Sequence, residues 1–202
     1  MGIVISRDLK KYSIINGLIL GLVLLAFNII SFYLITTIVK SPLGVIGVPY
    51  VFSIILPIPC AIIMVYKLRA EMKWEWNFRV ATSGIFIMFL VAYFIIFIGR
   101  DQLFARVIEP QMSTKIENVL LDATPIALKK SGANAQQIAE KQKEIKSQFE
   151  TQDKITVGQE IQSQLISIIF IFIIALIFGA LFKRPARGYD TVTISSVQNN
   201  PE

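Results

Sequence analysis

Four stretches of this chain, about 12–39, 45–66, 80–99 and 161–182, carry no Asp, Glu, Lys, Arg or His. An α-helix rises about 1.5 Å per residue, so ~20 apolar residues cross the ~30 Å hydrocarbon layer of a bilayer. Each stretch is long enough, and their number fixes the broad class. A soluble domain has nowhere to bury four such segments, particularly in 202 residues of which 54% are hydrophobic and only 17% charged. The first stretch exceeds a signal-peptide core and lacks a small-x-small cleavage site, so it is read as an uncleaved anchor.

The basic residues set the expected orientation. Arg7, Lys10 and Lys11 precede the first span. Lys67, Arg69, Lys73 and Arg79 lie between the second and third, and Lys183, Arg184 and Arg187 follow the fourth, whereas Lys40 stands alone after the first. Both termini are therefore expected in the cytoplasm. Tyr66, Trp74, Trp76, Phe78 and Arg79 are expected as anchors at the inner interface. The formal charge of +6 is better explained by this asymmetry than by nucleic-acid binding.

The expected fold is all-α: a four-transmembrane-helix bundle with an extracytoplasmic helical hairpin between the third and fourth spans. Residues 1–11 form the N-terminal cytoplasmic segment, 12–99 the first three spans, 100–160 the hairpin, 161–182 the last span and 183–202 a polar, disordered tail. In the hairpin, Pro110 can open a helix in which Met112, Ile116, Val119, Leu120 and Ala123 recur at helical spacing, and Pro125 interrupts the pattern. Ser131-Gly132 supplies a stop, and Asn134 with Gln137 resembles a capping box for a second arm with a thin Ile138, Ile145, Phe149 stripe. Such a stripe calls for cover by the other arm, another copy or a partner.

Small and polar residues interrupt the first span. At about 100° per residue, Ser13, Gly17, Gly21, Asn28 and Ser31 fall within an arc of about 80°. Gly17-x-x-x-Gly21 is the pattern that lets two helix backbones approach closely in lipid, and Asn28 on that face is placed to hydrogen-bond across the contact. The fourth span repeats the theme with Ser163, Ser167, Ala175 and Gly179 on one i,i+4 row. In the second span Pro57 and Pro59 lack amide hydrogens and deprive the carbonyls of Ser53 and Ile55 of partners. That predicts a kink, read either as ordinary packing or as a hinge or cavity.

The chain has no His and one cysteine, Cys60, which removes disulfide frameworks and Cys/His zinc sites. No cofactor is expected. The charge-free spans argue against a proton- or charge-coupled carrier. Asp101, Glu109, Glu117 and Asp122 are the external acids a lipid-active enzyme would have to use, yet they read as solvated helix faces.

The stretch "WEWNFRVA", through Trp74, Phe78, Arg79 and Ala81, is joined by "IEPQM" beyond the third span, "KKSGANAQQIAEKQKEI", and the closing span "LISIIFIFIIALIFGALFKR". In that order, over residues 12–184, they resemble DUF4199, a family of bacterial integral membrane proteins found mainly in Bacteroidota and without an assigned activity. The resemblance implies a topology and an inner-membrane location, not a chemistry. The expected function is that of a non-enzymatic membrane protein working by helix–helix assembly, as an oligomer or an accessory subunit. Its partners would be the lipid bilayer and itself or another membrane protein. A channel or facilitator lined by the proline-bearing second span is the alternative.

Overall fold

The computed structural model describes residues 7–39, 41–72, 76–153 and 156–183. Within them every regular element is helical. Helix α1, Arg7–Tyr33, runs on as a π-helical turn, Leu34–Ile38. Helix α2, Pro42–Tyr50, passes through a second π turn, Val51–Ile55, into α3, Pro57–Glu71. Helix α4, Phe78–Ile96, continues as a longer π segment, Phe97–Ile108. Helices α5, Met112–Lys130, and α6, Ala135–Asp153, precede α7, Val157–Phe182. Four helical stretches are long and apolar enough to cross a membrane: Arg7–Ile38, Pro42–Glu71, Phe78–Ile108 and Gly158–Phe182. All four reach past the charge-free stretches of the sequence at one end or both, and the third carries Arg100, Asp101 and Arg106 within one continuous helix.

Local chemistry explains where the helices begin. Asn77 caps α4 by accepting from the Val80 amide at 3.0 Å. Thr156 and Gln159 form a reciprocal capping box at the head of α7, and Asn134 and Gln137 form one at the head of α6, with bonds of 3.0 and 2.8 Å. Gly132 takes the left-handed φ of 84° that ends α5. Pro110 lies in the turn just before α5, which starts at Met112. Pro125 sits inside α5 without ending it. The Leu121 carbonyl it deprives of an amide four residues on accepts instead from Gln142 Nε2 of α6, at 3.4 Å.

The four long helices alternate in direction. Gly17, Gly21 and Leu25 of the first meet Met88, Ala92 and Gly99 of the third in the same order, so those two run parallel. Phe27 meets Phe52, and Asn16 meets Glu71, so the second runs against the first. Phe86 meets Phe172, and Tyr93 meets Gln164, so α7 runs against α4. The packed core lies toward one end, around Leu9, Leu68, Trp76, Ala81, Ile85 and Met88. At the other end α5 rests on α2 and on the first π turn as well as on α6. The apolar stripe of α5 is thus covered within the chain.

Candidate functional site

The glycines of α1 mark its contact with α4. A Cβ on Gly17 would stand 2.6 Å from the Met88 carbonyl oxygen and 2.9 Å from Val91 Cβ. One on Gly21 would stand 2.8 Å from Ile95 Cβ and 3.0 Å from Ala92 Cα. Only a glycine permits backbones this close. Ser13, fully buried, extends the same face toward Gly84 of α4.

Asn28 and Ser31 leave this contact. Asn28 Nδ2 donates to the Leu24 carbonyl of its own helix at 2.8 Å and not across the interface. An asparagine amide can return in this way to the preceding turn of its own helix. Asn28 and the buried Ser31 face a cavity instead.

The small residues of α7 split in two. Ala175 and Gly179 are buried on α4, where a Cβ on Gly179 would collide with Thr82. Ser163 is exposed, and the Ser167 hydroxyl donates to its carbonyl at 2.9 Å. Each i,i+4 step turns about 40° on a helix of 3.6 residues per turn, so over sixteen residues the row winds about 160° around the axis.

Pro57 is the first residue of α3, where a missing amide hydrogen costs little, and Pro59 follows within the first turn. The preceding π turn closes with Leu56 N donating to the Val51 carbonyl at 2.9 Å. Leu56 keeps right-handed helical dihedrals. The second span thus restarts at its prolines.

The aromatic anchors differ among themselves. Tyr66 is exposed, with its ring 5.0 Å from Phe182, and Phe78 and Arg79 are exposed at the head of α4. Trp76, expected at the interface, is only 1% exposed, and its indole N–H donates to the Phe182 carbonyl at 2.9 Å. It satisfies one of the carbonyls that the end of α7 leaves open. Trp74 lies outside the described residues.

Sequence reasoning missed one polar contact. Asn16, fully buried in α1, donates to Glu71 at 2.7 Å. Glu71 lies past the charge-free stretch, but the opposed direction of α3 brings its last turn beside an early turn of α1. The Ser13 hydroxyl and Asn16 Oδ1 find no partner among the described residues. The acids Asp101, Glu109 and Asp122 are scattered: Asp101 faces Arg100 at 3.7 Å, Glu109 takes Lys115 at 2.7 Å, and Asp122 is exposed.

Helices α1, α2 and α5, with one residue from each of the three π segments, line an open cavity of about 370 Å³. Ile35 comes from the first, Ser53 from the second and Arg100 from the third, while Met112, Ile116 and Leu120 of α5 close it. A π turn widens the helix locally, and such turns recur at functional sites.

Long apolar helices that alternate in direction, packed through glycines and exposing apolar side chains outward, define a multi-pass helical membrane protein. The chain belongs to the DUF4199 family, described as protein of unknown function, whose model matches residues 15–184. Neither the curated proteins nor the solved structures contain a match.

Proposed function

We propose that this is a non-enzymatic inner-membrane protein of a bacterium that acts by assembly, as an oligomer or as the accessory subunit of another membrane protein. The observation that carries this reading is the free side of α7. Ile166, Ile169, Phe170, Ile173 and Ile177 are exposed and fall within an arc of about 100°, with Ser163 at its edge. The Gly17–Gly21 face and the Ala175–Gly179 face are filled inside the chain, so assembly uses the fourth span's other side. In this reading the termini lie in the cytoplasm and α5 and α6 form an extracytoplasmic hairpin, as the distribution of Lys and Arg supports.

Crosslinking in intact cells, followed by the native mass of the purified protein, tests the proposal. An integer number of copies, or a stoichiometric second protein, is expected; a lone monomer refutes it. Labelling a Ser131→Cys variant in a Cys60→Ser background with a membrane-impermeant maleimide tests the sidedness. Labelling only after permeabilisation would overturn it.

The second reading, a channel or facilitator, draws on one feature. Pro49 and Ser53 of the irregular second span line the cavity. It requires solute flux in proteoliposomes that changes on Pro57→Ala, and no flux across a broad solute panel removes it.

A further inference from the structure

The cavity between α1, α2 and α5, to which each π segment adds one residue, combines apolar walls with one cation. Phe32, Ile35, Val45 and Ile116 supply walls, Ser31 and Ser53 supply hydroxyls, and Arg100 is the single charged side chain among its described lining residues. Its volume of about 370 Å³ lies in the range of small-molecule pockets, ~300–1,000 Å³. Arg100 is weakly engaged: its Nε faces Asp101 at 3.7 Å, with both side chains close to half exposed. A guanidinium carries five N–H donors in a planar fork that matches two oxygens of a phosphate or carboxylate. That single long contact leaves the fork's terminal nitrogens uncommitted. The hydroxyls of Ser31 and Ser53 make no hydrogen bond to any described residue. An arginine within a helix long and apolar enough to span a membrane is costly unless an anion meets it, and such residues mark sites.

The geometry points to an anionic phospholipid of the surrounding bilayer as the occupant, with its phosphate on Arg100 and part of an acyl chain along Phe32, Ile35 and Ile116. Phosphate is favoured because the fork and two free hydroxyls together offer donors to more than two oxygens. A net-anionic head is favoured over a zwitterionic one because no acidic side chain is among the described residues lining the cavity, and Asp101 beside it already faces Arg100, which would leave an ammonium or choline unpaired. The stripe of α5 then has a second role: Met112, Ile116 and Leu120 roof the chain of a bound lipid. This site does not depend on whether the protein assembles.

The test is native mass spectrometry of the delipidated full-length protein, titrated with phosphatidylglycerol, phosphatidylcholine of the same acyl chains, and oleate. Wild type is expected to retain phosphatidylglycerol at least tenfold better than either competitor. Arg100→Gln should abolish that preference, and Arg100→Lys, which keeps charge without the fork, should reduce it. Arg79→Gln, at an exposed arginine elsewhere, should leave it intact. Ile116→Trp fills the cavity without touching the charge and should abolish it too, which decides the matter if Arg100→Gln fails to fold. Equal retention of both phospholipids by wild type, or an unchanged preference in Arg100→Gln and Ile116→Trp, overturns the proposal. Oleate retained as well as phosphatidylglycerol overturns the assignment of phosphate.

Discussion

Replacing Gly17 with alanine adds a single carbon atom at the closest point of the α1–α4 contact. That atom would stand 2.6 Å from the Met88 carbonyl oxygen, 3.2 Å from Met88 Cα and 2.9 Å from Val91 Cβ. Two of these three are backbone atoms of α4, so no rotamer change relieves them, and the helices must separate locally by several tenths of an ångström. The neighbouring contact at Gly21, against Ala92 Cα and Ile95 Cβ, loosens with them. Overpacking of this kind costs about 1–3 kcal/mol, set against a gain of up to ~1 kcal/mol from alanine's better helix propensity. We expect Gly17→Ala to destabilise by about 1–2 kcal/mol. Gly47→Ala is the control, because nothing lies within 4 Å of its would-be Cβ inside α2, and it should be neutral or stabilising by up to ~1 kcal/mol. The assay is reversible unfolding of the purified protein in mixed micelles, titrated with denaturing detergent at several protein-to-micelle ratios. A contact inside one chain gives a loss independent of that ratio. A loss that grows on dilution, or a Gly17→Ala variant as stable as Gly47→Ala, would refute the assignment of this face to the fold.

Three further outcomes follow from individual hydrogen bonds. A double-mutant cycle of Asn16→Leu and Glu71→Gln should give a coupling of about 1–2 kcal/mol, because a bond to a charged group is worth more than a neutral one; zero coupling refutes the contact. Trp76→Phe should cost about 1–2 kcal/mol through the Phe182 carbonyl, and in a Trp74→Phe background Trp76 emission should be blue-shifted and resistant to aqueous quenchers, whereas a quenchable Trp76 places it at the interface. Gln142→Ala should cost less in a Pro125→Ala background than in wild type, since that substitution returns a backbone amide to the Leu121 carbonyl, and equal costs would show that Gln142 does not serve that carbonyl.

Legibility in the sequence followed the range of the interaction. The spans were readable because exclusion of charge from hydrocarbon acts on every residue of a segment alike. The Gly17–Gly21 face was readable because residues four apart lie on one side of a helix, and Asn134 with Gln137 because a cap is made within four residues. Range also limited each of these. Asn28 shares the arc of Gly17 but lies more than two turns further along, and whether another helix stands opposite depends on where α4 goes. The Ser163–Gly179 row, interrupted by Ile171, reads as one face in sequence and winds onto two sides of α7 in space. Trp76 reads locally as an aromatic in a polar connection. Its burial comes from the end of α7, over a hundred residues away, which presents it with a carbonyl.

The cavity lies at the far end of this scale. No stretch of sequence announces it, because the first and second spans and α5 each contribute a few residues and the third contributes Arg100 alone. Arg100 alone reads as the first polar residue after a span, the usual place for a side chain that reaches the headgroups. What changes its meaning is the π-helical continuation of α4 to Ile108, which keeps Arg100 within a helix and turns it toward Ser31 and Ser53. The compact end of the bundle, around Leu9, Leu68 and Trp76, is built from regular α-helix, while all three π segments gather at the other end, where the chain leaves room. Irregular backbone is hard to satisfy in lipid and persists where neighbouring protein or a lined cavity receives it. That distribution assigns stability to one end of the molecule and binding to the other. It also requires that a cavity-filling Ile116→Trp change lipid retention while leaving the Asn16–Glu71 coupling at the opposite end untouched.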